Sequence, residues 1–157
     1  TELFPEMATL DCGTCNFGDD IFVNDMPTMR AFGKRMLENN IKPEYECFEI
    51  GHLDTILTMA RKGQVPGAPM QFNFVLGVPG CTPATPGHLD YLVKMIPAGS
   101  TWTATGIGRN AFTLAAAAIA KSWVVLVYLP YLVLAGLITG TLTGLCAQLV
   151  VGRLSRN

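Results

Sequence analysis

Four times in succession, a short apolar run passes through a glycine-bearing loop into a stretch with helical spacing, and no other feature limits the fold so strongly. The apolar runs cover residues 7–10, 45–50, 70–76 and 101–105, and these are the expected strands. Between and after them, Met29, Phe32, Met36 and Leu37 fall on one helical face. Leu53, Ile56, Leu57 and Ala60 do the same, as do Leu89, Leu92, Val93 and Ile96, and then Phe112, Ala115, Ala116 and Ile119. Pro27 opens the first helix, and Thr85 followed by Pro86 supplies an N-cap with proline at the first helical position. Strands joined by crossover helices must run parallel, because a parallel pair needs a long return connection. An α/β chain of about four βα units is therefore expected, with ligands at the carboxyl ends of the strands, where the glycine loops fall.

Twelve acidic and 11 basic side chains cancel to a net charge of −1, and arginine and lysine are spread rather than striped. Nucleic acid is set aside as a partner, since phosphate backbones demand a basic patch. Five cysteines, at positions 12, 15, 47, 81 and 146, are an odd number at irregular spacing. A reducing, cytoplasmic compartment is expected rather than a disulfide framework. Residues 1–10 hold no initiator methionine and no charged-then-apolar leader, so a missing start or a trimmed chain is expected. Charge is also divided unevenly along the chain. The last acidic residue is Asp90, and residues 122–152 carry no charge of either sign.

Cys12 and Cys15 make a single C-x-x-C, which lacks the further ligands of a zinc site, so two free thiols are expected. His52 follows Glu49 and Gly51 on the ligand rim; it is read as a solvated residue at a helix start, with an active-site base as the alternative. His88, in the first turn of its helix, is read the same way. Asp19 and Asp20 read as a solvated loop. Glu44 and Glu46 share one face of their strand, with Glu49 opposite, and a buried carboxylate there needs a charged or hydrogen-bonding partner. Gly106-Ile107-Gly108-Arg109 is a fragment of a dinucleotide fingerprint without its third glycine. It reads as a tight turn, with an anion held beside Arg109 as the alternative.

Five runs in order carry a resemblance. They are Pro5-Glu6-Met7-Ala8-Thr9-Leu10, Gly13-Thr14-Cys15-Asn16-Phe17-Gly18-Asp19-Asp20, Lys42-Pro43-Glu44-Tyr45-Glu46-Cys47-Phe48-Glu49, Phe74-Val75-Leu76-Gly77-Val78-Pro79-Gly80, and Thr101-Trp102 with Gly106-Ile107-Gly108-Arg109. Together they resemble the β-keto acid cleavage enzymes, also called the 3-keto-5-aminohexanoate cleavage family, over residues 2–120. The resemblance implies a zinc-dependent (β/α)8 TIM barrel, of which this chain would be a part. It implies transfer of the acyl part of a β-keto acid to the CoA of acetyl-CoA, with release of acetoacetate, in a homo-oligomer. Glu46 then matches an active-site glutamate on the fifth strand, and Thr9 a substrate-contacting threonine on the fourth. Asn16 stands in a rim loop, and Arg109, in the Gly-x-Gly turn, is a further candidate substrate-binding residue. Cys81 stands where a second glycine is expected after Gly80. The family's zinc is held by a His-x-His pair and a glutamate on the eighth strand, and neither is present; His52 and His88 lie far apart and no acid follows Asp90. The serine of the third-strand loop and the arginine and aspartate of the eighth-strand motif are likewise absent. This chain alone is therefore expected to be inert.

Residues 1–120 are accordingly expected to form a partial barrel domain, and residues 121–157 an apolar, helical tail. Residues 131–151, with Gly136, Gly140 and Gly144 spaced four apart, are long enough for a transmembrane helix. That reading would make the chain a membrane-anchored α/β binding module without catalysis. The other reading takes residues 121–146 as out of frame, because Ala147-Gln148-Leu149-Val150 again resembles the family, in its final helix. A third reading is a non-catalytic fragment that oligomerises through open strand edges.

Overall fold

A computed structural model describes residues 3–121 and the backbone of Ala147–Val151. The order of elements is β1 (Met7–Asp11), β2 (Cys15–Phe17), β3 (Asp20–Phe22), α1 (Met26–Glu38), β4 (Lys42–Cys47), α2 (Ile50–Arg61), β5 (Gln71–Leu76), α3 (Pro86–Met95), β6 (Thr101–Gly106), a 3-10 turn at Gly108–Asn110, α4 (Ala111–Lys121) and β7 (Ala147–Val151). The main sheet has the order β1-β4-β5-β6-β7. Its first three pairings are parallel, as the crossover helices require.

Strand alternation sorts the sheet into two faces. Leu10, Tyr45, Phe72 and Trp102 stand opposite one another across four strands, and Cys47, Phe74 and Ala104 form the next row. Rings link these rows, with centroids 5.8 Å apart for Tyr45 and Phe72 and 6.0 Å for Phe72 and Phe74. Met29 and Met36 of α1, Leu53, Ile56 and Met59 of α2, Leu89 and Leu92 of α3, and Leu114 and Ala118 of α4 all join this one core. Among the described residues the helices thus cover a single face of the sheet. That is the arrangement of an arc of a β/α barrel rather than of a doubly wound sheet.

Several expectations need correction. The strand expected at 45–50 lies at Lys42–Cys47, and α2 starts at Ile50 with Gly51 inside it, because Glu49 already has the extended backbone of an N-cap. The turn-rich run after β1 forms the β2–β3 hairpin, with Cys15 opposite Phe22. Phe32 and Leu37 do not belong to the buried face of α1, where Met29, Gly33 and Met36 do. Phe112 is 81% exposed, since α4 is seated through Ala111 against Gly106 at the end of β6 and buries Ala111, Leu114 and Ala118 instead.

Beyond Lys121, which ends α4, the described part of the tail is a strand, not a helix. β7 pairs antiparallel with β6, Gly106 opposite Ala147 and Trp102 opposite Val151, which satisfies backbone groups that an open edge would leave unpaired. The family-like run at 147–150 is therefore extended, and the helix expected at 131–151 does not extend over its last five residues. Among the described residues no helix is long and apolar enough to cross a membrane. The rest of that span, its three glycines and nearly all of the segment read as out of frame lie outside the described residues.

Candidate functional site

The face without helices is polar. Thr9, Glu44, Gln71 and Thr101 form one row across β1, β4, β5 and β6, and Asp11, Glu46, Asn73 and Thr103 form the next. Thr9 and Glu46 therefore lie on the same side of the sheet, on adjacent parallel strands. Glu46 is half-buried. The Asn73 side-chain amide donates to its Oε1 at 2.8 Å, and Asn73 Oδ1 in turn accepts from the Thr105 hydroxyl at 3.0 Å. Burial is the main cause that pushes Glu46 up from the ordinary carboxylate range to about 7, followed by a hydrogen bond and repulsion from Asp11, then repulsion from Glu44. The Asn73 bond works the other way and favours the ionised form. A carboxyl poised near neutrality on an open, polar face is suited to holding or moving a proton.

The β2–β3 hairpin folds over the carboxyl ends of the strands. Its Gly18 amide donates to Pro79 O at 3.0 Å, and Cys81 Sγ donates to Asn16 O at 3.1 Å. Asn16 is exposed on this rim, with its Cβ close to Gly80; a side chain at Gly80 would come within 2.6 Å of it. Beneath the hairpin, Cys15, Phe48, Val75 and Val78 make a second small core, with Phe17 against Phe48 at 6.0 Å. Arg109 is exposed in the 3-10 turn that leads into α4.

His52 is neither solvated nor free to act as a base. It is buried; its Nδ1 accepts from the Phe48 amide at 3.3 Å and its Nε2 lies 3.1 Å from Thr14 O. These two contacts tie α2 to the loop before β2. Gly13 makes this possible, because a Cβ there would lie 2.6 Å from the ring. Glu49 does not oppose Glu44 and Glu46 across the strand either: it follows β4 at the start of α2 and accepts from the Thr82 hydroxyl at 3.2 Å. His88 Nδ1 lies against Thr85 Oγ1 at 2.9 Å and Pro83 O at 3.0 Å.

Cys12 and Cys15 face different neighbours, Cys12 in the main core and Cys15 in the rim cluster. Among the described residues no group of three or more His, Cys, Asp or Glu side chains is placed to hold a metal ion. With His52 engaged by backbone at both nitrogens, the donors here do not fit the zinc that the resemblance implies. Sequence reasoning missed Asp11, Asn73 and Thr105. Asn73 was findable, as a polar residue alternating with Phe72 and Phe74.

Parallel strands with helices on one face and polar side chains on the other define the scaffold of an α/β enzyme with its site at the strand ends. The family model for the beta-keto acid cleavage enzyme matches residues 1–125, and the chain belongs to that family. It is 50% identical over 120 residues to a 3-keto-5-aminohexanoate cleavage enzyme from Fusobacterium nucleatum, covering 76% of this chain and 43% of the relative. A second such enzyme, from Acetoanaerobium sticklandii, is 49% identical over 118 residues, or 74% of this chain and 43% of the relative. A 3-dehydrocarnitine:acetyl-CoA trimethylamine transferase from Rhizobium meliloti is 34% identical over 120 residues, 75% of this chain and 40% of the relative. The chain thus spans less than half the length of these curated relatives, each of them named as an enzyme.

Proposed function

We propose that this chain carries the carboxylate-bearing part of a β-keto acid cleavage site, in which the acyl part of a β-keto acid passes to the CoA of acetyl-CoA and acetoacetate is released. The observation that carries this reading is the polar face on which Glu46, held by Asn73 and pushed up to about 7, shares a side with Thr9. Protons between the two carbonyls of a β-keto acid are acidic, and a carboxyl that titrates near neutrality can take or return one. Thr9, exposed on the same face, supplies a hydroxyl to the substrate. Asn16 borders the site from the hairpin. Arg109 offers a guanidinium to the substrate carboxylate or to CoA phosphate.

Acetyl-CoA as co-substrate is supported by the names of the transferase relatives. No step is assigned to zinc, because the donors among the described residues do not fit it. In this reading residues 1–120 are the partial barrel domain, the intact enzyme is a cytoplasmic homo-oligomer, and this chain alone turns over no substrate. No observation favours the membrane-anchored module over it.

The experiment is a titration of the isotopically labelled chain with 3-keto-5-aminohexanoate, followed by NMR, beside an assay of acetyl-CoA consumption. Shifts at Thr9 and Glu46 without turnover are expected. Shifts that avoid both residues would overturn the site, and turnover by this chain alone would overturn its inactivity.

A further inference from the structure

The four described cysteines group across loops rather than within the C-x-x-C. Cys12 and Cys47 both lie in the main core, with exposures of 0% and 1%, and their thiols donate to Leu10 O at 3.3 Å and Tyr45 O at 4.0 Å. At the rim Cys81, itself half-exposed, packs against the small core that holds Cys15. The second pair is the one a reagent can reach. It also joins two separate elements. Cys15 begins the β2–β3 hairpin, and Cys81 lies in the loop from β5 to α3, already bonded to Asn16 O and flanked by the bond from Gly18 N to Pro79 O.

We propose that Cys15 and Cys81 are a site of reversible disulfide modification that staples the hairpin to the loop after β5 and so fixes the strand segment carrying Asn16. The oxidant class is a low-molecular-weight disulfide. One protein thiolate attacks it and releases one small thiol. The second protein thiolate then attacks the protein-bound sulfur of the mixed disulfide and releases the other. The two cysteines lose two electrons and two protons, which leave in the two small thiols, so the exchange balances. Burial pushes both thiols up, Cys81 to about 12, so oxidation is slow at neutral pH and quickens as pH rises.

The test incubates the folded chain with oxidised glutathione at mildly alkaline pH, then maps peptides by mass spectrometry without reductant. A peptide pair linked through Cys15 and Cys81 is expected, two hydrogens lighter and released by dithiothreitol, with Cys12 and Cys47 still free. C81G and C15S, each checked for folding by circular dichroism, should abolish it. Hydrogen exchange at the Gly18 amide should slow several-fold in the oxidised chain. Retention of both rim thiols, a Cys12–Cys15 link, or unchanged exchange at Gly18 would overturn the proposal.

Discussion

The two faces of the sheet are written in alternate residues of the same four strands, yet they obey different rules. On the helix side, Leu10, Tyr45, Phe72 and Trp102 are held by burial of apolar surface, the main favourable contribution to folding. On the other side, Asp11, Glu46, Asn73 and Thr103 gain little from burial, and Glu46 is held where its charge is disfavoured. The row that holds Glu46, at the ligand end of a parallel sheet, is the one we propose as the site.

Phe74→Ala separates the faces most sharply. Phe74 is fully buried between Phe72 and Trp102, and its truncation should cost about 3–5 kcal/mol, comparable with the whole stability of many single domains. Urea unfolding measures it. On the opposite face, Asn73→Ala should cost less, about 1–3 kcal/mol, because it leaves Glu46 and the Thr105 hydroxyl without their partner. It should also push Glu46 further up, since the bond it removes favours the ionised form.

Glu46→Gln should change the pH dependence of stability more than stability itself. The folded value of about 7 lies above the ordinary value of 4.5, so between the two the folded chain binds more protons than the unfolded one. The contribution of this group is fully present below the lower value and is lost as pH rises through the upper one. Unfolding curves across that window should slope downward in the native chain and flatten in the variant. The smallest effect belongs to Thr9→Val. On an exposed strand position it should alter stability by no more than about 0.5 kcal/mol, while removing the keto acid shift at that residue.

The helix side was legible because burial writes a period into the sequence: Leu53 and Ile56, or Leu89 and Leu92, recur at the spacing of one helical face and are all in the core. Alternation likewise placed Glu44 and Glu46 together. What stayed hidden was made by contacts between distant segments. No local pattern shows that His52 reaches back to Thr14, that Cys15 meets Cys81, or that Asp11 stands opposite Glu46. Phe112 misled because in an alanine-rich helix several faces are apolar enough, and the seat of Ala111 on Gly106 decides among them.

The most direct measurement is the titration of the Glu46 side-chain carboxyl carbon by NMR, in the native chain and in Asp11→Asn. A midpoint near 7 is expected in the native chain, moving down when the neighbouring negative charge and carboxyl bond are removed. A midpoint in the ordinary carboxylate range, unmoved by Asp11→Asn, would mean that the polar face is merely a solvated surface and not a built site.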